Sequence, residues 1–426
     1  MATHQRGRLP AGAQLSGALA LGRRGLLGAA GALAAGGGGL TPARAQAPTI
    51  RLGVLTDMSG PYRDPTGPGS VACTQQAAAE MANRGFAVEV IQADHQNKPD
   101  VGANIARQWY DQGVDAIVDV PTSSVALAIN GIAREKNKVF LNSGAASSDL
   151  TGSACSPNTV HFTYDTYMLA KGTGAALARS GGDTWFFITA DYAFGHALQR
   201  DTSRFVEAAG GKVLGAARYP FPATTDFSAF LVQAQSSRAK VLGLANAGTD
   251  TSTCIKQARE FGLTRNMKIA GLLMSFMEVH SLGLPTAQGL LMTEPFYWDL
   301  NDRTRAFAER VRPRMPGQAM PAQVQAGCYG VSLHYLKAVA DMGAAQAKAD
   351  GRAAVARMKA MPTDDDAFGQ GRVREDGRKI HPSYLFEVKA PGESRGPWDY
   401  LKIVATTPAE EAFRPMAEGG CSLVRS

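Results

Sequence analysis

The feature that most constrains this fold is a strand–helix alternation that runs through the early chain and then starts again. Apolar, strand-like runs at 50–56, 86–91, 116–120 and 139–142 alternate with helical patterns at 71–84, 101–112 and 124–135. A second series follows: strands at 183–189, 212–216, 241–245, 267–273 and 289–293, with helices at 196–209, 226–236 and one carrying Ile255, Ala258 and Phe261. Such a β-α-β rhythm demands parallel strands with helices on both faces. The prediction is an α/β chain with two doubly wound parallel-sheet halves, 48–163 and 170–290. The alternation then breaks into helices at 304–312, 324–342 and 353–361. Short antiparallel strands at 371–374, 383–388 and 398–404 close the chain, the first ending in a turn at Glu375-Asp376-Gly377.

The first strand runs into a Gly- and Pro-rich stretch, 58–70, read as one long loop. Ligands collect at the carboxyl ends of strands in such sheets. Glycines beside a helix start also leave N–H groups free for an anion. Gly67-x-Gly69-x-x-Ala72 fits a loose dinucleotide fingerprint, but about a dozen residues separate it from the strand, so a nucleotide reading fails. A plain structural turn is the competing account of the stretch.

The amino terminus reads as an address, not as fold. Arg23-Arg24 precedes a mild Ala/Gly/Leu run, and Ala43-Arg44-Ala45 is a small-x-small cleavage box. Residues 1–45 are therefore expected to be an export signal of twin-arginine type, with a Sec signal as the other route. The mature chain would begin near Gln46, soluble in the periplasm. Five of the +7 net charge sit in residues 1–45 as arginines with no acid, leaving +2 for the rest. That balance gives no basis for nucleic-acid binding. No later stretch reaches the roughly 18 apolar residues that span a bilayer.

Chemistry is conspicuous by its absence. The histidines are scattered, no cysteine pair has zinc spacing, and no P-loop or Gly-x-Ser-x-Gly elbow occurs. No catalytic residue, metal or cofactor is expected. Cys73, Cys254 and Cys328 lie in helical patterns and read as buried small residues. Cys155 and Cys421 lie in loops, and an oxidising compartment permits a bridge between them, although spacing does not fix connectivity. Thr363-Asp364-Asp365-Asp366 reads as a charged turn. Glu294 ends a strand beside Pro295-Phe296-Tyr297-Trp298, read as packing at a hinge in preference to ligand contact.

What remains is a set of polar or Gly-rich loops at strand ends: 59–62, 122–124, 144–148, 191–195, 246–250 and Ser275-Phe276. Hydroxyls, backbone N–H groups and aromatics without a nucleophile–base pair suit binding a small polar molecule. At these residues the chain resembles the periplasmic substrate-binding proteins of ABC transporters, in the leucine/isoleucine/valine-binding, type I family. The carrying stretches are Leu55-Thr56-Asp57-Met58-Ser59-Gly60-Pro61, Asp119-Val120-Pro121-Thr122-Ser123-Ser124, Leu141-Asn142-Ser143-Gly144-Ala145, Asp191-Tyr192-Ala193-Phe194-Gly195, Thr225-Asp226-Phe227-Ser228 and the run from Cys254 to Leu263.

The resemblance implies two lobes joined by three crossovers, near 162–167, 293–298 and 361–366, closing on ligand like a trap. Lobe 1 would hold 48–163 plus 299–361; lobe 2 would hold 167–293 plus 367–426. It implies a monomer that captures a small organic solute and delivers it to an ABC permease in the inner membrane. A ligand-sensing subunit of the same fold, or an exported hydrolase using Ser59 or Ser123, are the alternatives. Ligand contacts are expected from Ser59, Tyr62, Thr122, Ser123, Gly144, Ala145, Ala146, Tyr192, Phe194, Asn246, Ser275 and Phe276. Ser123 matches the family's carboxylate-gripping serine, and Phe194 its closing aromatic. Tyr62 is expected to stack on ligand, with hinge-side packing as its other role. Two departures shift the expected solute. Ala146 replaces a carboxylate-holding threonine, and Leu272-Leu273-Met274 offers no acid for an α-ammonium, with Glu278 offset from the needed place. A buried ammonium without its carboxylate costs several kcal/mol. A small carboxylate or amide lacking that ammonium, including an aromatic acid, fits better than a branched-chain amino acid. The inserted Asp64-Pro65-Thr66 also departs from the family's usual loop.

Overall fold

The structure, a computed structural model, describes residues 47–425. The expected export signal at 1–45 lies outside the described residues. The first sheet is built from β1 (Thr49–Thr56), β2 (Ala87–Asp94), β3 (Ala116–Asp119), β4 (Val139–Asn142) and β5 (Thr159–His161), all parallel, in the order β2-β1-β3-β4-β5. The second contains β6 (Thr184–Ala190), β7 (Lys212–Tyr219), β8 (Val241–Ala245) and β9 (Lys268–Gly271), also parallel, in the order β7-β6-β8-β9. Central strands β3, β4 and β8 are buried at every residue, whereas edge strands β2 and β7 alternate exposed and covered. That contrast is what two helical layers over a parallel sheet produce.

Later in the chain come β10 (Leu291–Glu294), β11 (Thr363–Asp365), β12 (Gly369–Val373), β13 (Lys379–Ile380), β14 (Ser383–Val388) and β15 (Leu401–Thr407). They form two antiparallel sheets, β10-β14-β15 and β11-β12-β13. The helix Gln323–Met342 returns to the first sheet and packs on the helix Gly67–Glu80. Phe307, Val311, Val331 and Met358 join Leu52, Val54 and Val118 in the first core. Phe386 and Leu401 join Ile188 and Leu244 in the second. Among the described residues no helix is long and apolar enough to cross a membrane.

Several details differ from the sequence reading. The loop expected over 58–70 is shorter, because the helix begins at Gly67. Pro68 sits in the first turn, where no intrahelical N–H is lost. Gly69 leaves room for Gln325, whose Nε2 would lie 2.2 Å from an added Cβ. Residues 363–365 are a strand and not a turn. The Asp365 carboxylate accepts from the N–H groups of Ala367 and Phe368 (3.0 and 2.7 Å), while Asp364 and Asp366 hold Arg303 at 2.8 Å each. The helical segment Thr166–Arg179, with a π turn at Ala170–Gly174, has no counterpart in the sequence reading. The carboxyl-terminal part also divides. Residues 383–407 pair with β10 and bring Phe386, Val388 and Leu401 to the second core, but Phe368 and Val373 join the first core and the His161 N–H bonds to Gly377 O at 2.9 Å. Cys155 and Cys421 are disulfide-bonded, tying the tail to the loop after β4; Cys73, Cys254 and Cys328 are free and buried.

The first crossover is gripped by buried cations. Arg378, fully buried, donates to the carbonyls of Phe162 (2.7 Å), Tyr164 (2.9 Å) and Lys379 (2.9 Å), with its guanidinium 4.2 Å from the Phe413 ring centre. The Lys379 ammonium lies between the Phe162 and Phe368 rings at 4.5 and 4.6 Å, and burial pulls its pKa down to about 8. His381 Nε2 faces the Thr163 carbonyl at 2.8 Å. Arg378→Ala should therefore cost about 3–5 kcal/mol in urea unfolding, because buried carbonyls and Asp165 lose their partner; a cost below about 1 kcal/mol contradicts this account of the hinge.

At the end of β3, Asp119 is fully buried with φ +81°, and neither carboxylate oxygen is in hydrogen-bonding geometry. Burial pushes its pKa up to about 7, against the pull of the nearby Ser70, Thr56 and Cys328. Between about pH 4 and that value the folded state holds a proton that the unfolded chain has released, so stability falls as pH rises. Asp119→Asn keeps the shape and tolerates the left-handed backbone. It should gain on the wild type between pH 4 and 7 in denaturant titrations; a pH-independent difference contradicts the assignment.

Candidate ligand site

The site begins with how the loop after β1 is folded. The buried Asp57 carboxylate accepts from the N–H groups of Ser59 (3.1 Å), Gly60 (2.6 Å) and Tyr62 (2.9 Å), and from Asn97 Nδ2 (2.8 Å). A short polar side chain that bonds its own downstream backbone is a turn-forming device. Here it aims Tyr62 at the opposite lobe. Tyr62 and Tyr192 hydroxyls meet at 2.6 Å, and Phe221 stacks on both rings, 5.3 Å from Tyr62 and 4.5 Å from Tyr192. The lobes also meet through the backbone, where Thr249 N–H donates to Pro61 O at 3.1 Å. Gly248 permits that approach: it has φ +63°, and an added Cβ would lie 2.2 Å from Pro61 O.

Beneath this roof lies a narrow cavity of about 30 Å³. Its walls are aromatic (Tyr62, Tyr164, Tyr192, Phe194) and apolar (Pro65, Pro121, Leu273, Met274, Val324), with Thr66, Ser275, Glu278 and Gln323 as polar side chains. Among the described residues no Lys, Arg or His lines it. Tyr164 is oriented by donating to Gly144 O at 2.9 Å, and Gln323 Nε2 reaches Met274 O across the cleft at 3.2 Å. Ser275 caps the helix Phe276–Leu282. Its Oγ accepts from Met277 N–H (3.2 Å) and donates to Glu278 Oε2 (2.6 Å), which also accepts from Ser275 N–H (2.7 Å). That is a capping box. Glu278 is buried, and burial raises its pKa against the pull of Ser275. The Tyr62 phenol is likewise raised, by burial first and the Tyr192 oxygen second.

Of the residues expected to touch ligand, Tyr62, Gly144, Ala146, Tyr192, Phe194 and Ser275 line the cavity. The others lie outside that lining, for definable reasons. Ser59 is exposed and donates to Asp94 at 2.6 Å. The Thr122 hydroxyl is taken up by Asn97, and Ser123 Oγ accepts from Ser147 N–H at 3.2 Å. Ala145 N–H bonds Asn142 Oδ1 at 3.0 Å. Asn246 Oδ1 is held by Thr251 at 2.6 Å, and Phe276 packs in the second core against Tyr297 and Trp398. Sequence reasoning missed Tyr164, Gln323 and the roof residue Phe221. It weighed Glu278 by offset from the strand; the Ser275-x-x-Glu278 cap signal shows that a helical turn brings the acid back to the cavity. Among the described residues no group of three or more His, Cys, Asp or Glu side chains is placed to hold a metal ion.

Known proteins share this fold. The chain is similar to a periplasmic binding protein from Burkholderia mallei: 47% identity, TM-score 0.85, covering 88% of this chain and 99% of that one. It is also similar to a branched-chain amino acid ABC transporter periplasmic ligand-binding protein from Burkholderia xenovorans (39% identity, TM-score 0.76, 88% and 99% coverage). A solute-binding protein of an ABC transporter from R. palustris, solved with benzoate, shares the fold at 18% identity, with TM-score 0.76 and coverage of 88% and 100%. No curated protein sequence matches. The family model described as periplasmic binding protein matches residues 49–395, and with two parallel-sheet lobes in the type I arrangement the chain belongs to that family.

Proposed function

We propose that this protein is the extracytoplasmic solute-binding component of an ABC importer. It would be exported by its first 45 residues, act as a periplasmic monomer and hand its solute to an inner-membrane permease. The observation that carries this reading is the aromatic cavity between the lobes, roofed by Tyr62, Phe221 and Tyr192 and built from both halves of the chain. A small, largely apolar pocket with a few placed polar groups is the usual form of a binding site for a compact organic molecule. Binding without chemistry is favoured because the Ser275 hydroxyl is consumed by its helix cap, donating to Glu278 and accepting from Met277.

The solute is a small carboxylate, amino-acid-like compound or aromatic acid. The four aromatic rings favour a flat or branched apolar body. A carboxylate would rely on hydroxyls and backbone N–H groups, since the lining offers no basic side chain. Glu278 separates the subclasses. Its Oε2 is held by Ser275, and burial favours its neutral form. A neutral Glu278 tolerates an aromatic acid, whereas an α-ammonium ligand needs it ionised.

A thermal-shift screen over amino acids, aromatic acids, dicarboxylates and amides tests the reading. A true solute at a hundred times its Kd stabilises by about 2.7 kcal/mol. Tyr62→Ala should weaken that binding about tenfold or more, through loss of ring contact and of the hydroxyl pair. Glu278→Gln, which keeps the cap, should leave an aromatic acid's affinity within about threefold and weaken an amino acid far more. A complete absence of stabilising solutes would overturn the assignment.

A further inference from the structure

A second chamber, about 300 Å³, lies on the far side of the Asp64-Pro65-Thr66 segment. Gln325 fixes the partition, its Nε2 donating to Asp64 O (3.0 Å) and Thr66 O (3.2 Å). Pro65 and Thr66 face the first cavity, while Arg63 and Asp64 face the second. Both lobes wall it: Met315 belongs to the first core, and Met277 and Trp398 pack on the second. The short helix Phe276–Leu282 serves both spaces, presenting Glu278 to one and Met277 with His280 to the other.

Trp398 is the unusual element. Its backbone has φ +71°, a region that bulky residues rarely adopt. Its carbonyl accepts from Tyr297 OH (2.5 Å) and Trp298 Nε1 (2.9 Å), and these two bonds hold the conformation. The indole is thereby set in the chamber wall with the His280 imidazole stacked on it, centroids 4.3 Å apart and planes at 24°. Backbone strain of this kind persists where surroundings over-determine it, and it clusters at ligand clamps. Arg63 supplies a guanidinium whose exposed contact with Asp64 (2.9 Å) exchanges readily with solvent or another anion.

We propose that this chamber is a second solute site, taking a planar aromatic acid. The ring lies against the Trp398–His280 stack and the Met277 and Met315 thioethers, and the carboxylate pairs with Arg63. Aromatic faces and thioethers are matched to a flat ring, and an arginine fork to a carboxylate. The proposal rests on the reading of the cleft as a solute trap, but the two are separable by experiment.

Crystals of the mature protein soaked in 4-iodobenzoate, with calorimetry in solution, test it. The expected result is an iodine anomalous peak in this chamber, in van der Waals contact with Trp398. Arg63→Ala, an exposed position, and Met277→Ala should each weaken binding there about fivefold or more and leave any binding in the first cavity within about twofold. No iodine in the chamber at saturating probe overturns the proposal. So does a site whose affinity both variants leave unchanged. Failure of every solute to stabilise the protein while the chamber still fills would count against the importer reading and leave this one standing.

Discussion

The cleft depends on a single buried carboxylate. Asp57 binds three loop N–H groups and Asn97, and so turns a Gly- and Pro-rich stretch into a fixed arm reaching from the first lobe to the second. Without that carboxylate the buried Tyr62 amide would lose its partner, at about 1–3 kcal/mol. With it, Tyr62 meets Tyr192 and Phe221, Pro61 meets Thr249, and the cavity acquires a roof. Gln325 supports the arm from the other side through the carbonyls of Asp64 and Thr66.

The roof is a contact made between phenol groups of the two lobes. Phenol hydroxyls taken out of water need partners. Tyr62 and Tyr192 supply each other when the lobes meet, and each regains water when they part. Bonds between the lobes fall in two groups: Tyr62, Pro61 and Gln323 with Tyr192, Thr249 and Met274 around the cavity, and Ser148 and Asp149 with Arg200 and Asp201 beyond it. A solute that touches both walls adds differential free energy to the closed state, which is the condition for shifting a two-state equilibrium. The Arg378 cluster acts differently: it ties down the carbonyls of the first crossover from the buried side.

The fold was largely legible because parallel sheets leave a strong periodic trace. β3, β4 and β8 match the sequence reading to within a residue, since apolar runs bounded by turn residues have few other uses. The elements that escaped have tertiary causes. The helix starts at Gly67 where Gln325, far along the chain, fits beside Gly69 and donates to the carbonyls of Asp64 and Thr66. Residues 363–365 are a strand because they pair antiparallel with 369–371, while Arg303 takes up the Asp364 and Asp366 carboxylates. The site was legible by half for a similar reason. Strand-end loops contribute Tyr62, Gly144 and Tyr192 to the cavity lining, but which of their side chains turn inward is decided by partners. Ser123, Thr122 and Asn246 are all consumed by neighbouring polar groups within their own lobe. Glu278 and Gln323 reach the cavity from helix starts, which strand-end reasoning does not survey.

The central claim is that the cavity under Tyr62 and Tyr192 holds one small solute between the lobes. The most direct test is native mass spectrometry of the mature protein carried gently through purification, beside the double variant Tyr62→Ala, Tyr192→Ala. The account predicts a single non-covalent adduct of small-molecule mass on the wild type, released by mild activation and absent from the variant. An adduct of equal occupancy on both proteins, or none on the wild type even after incubation with a periplasmic extract of small molecules, would contradict it.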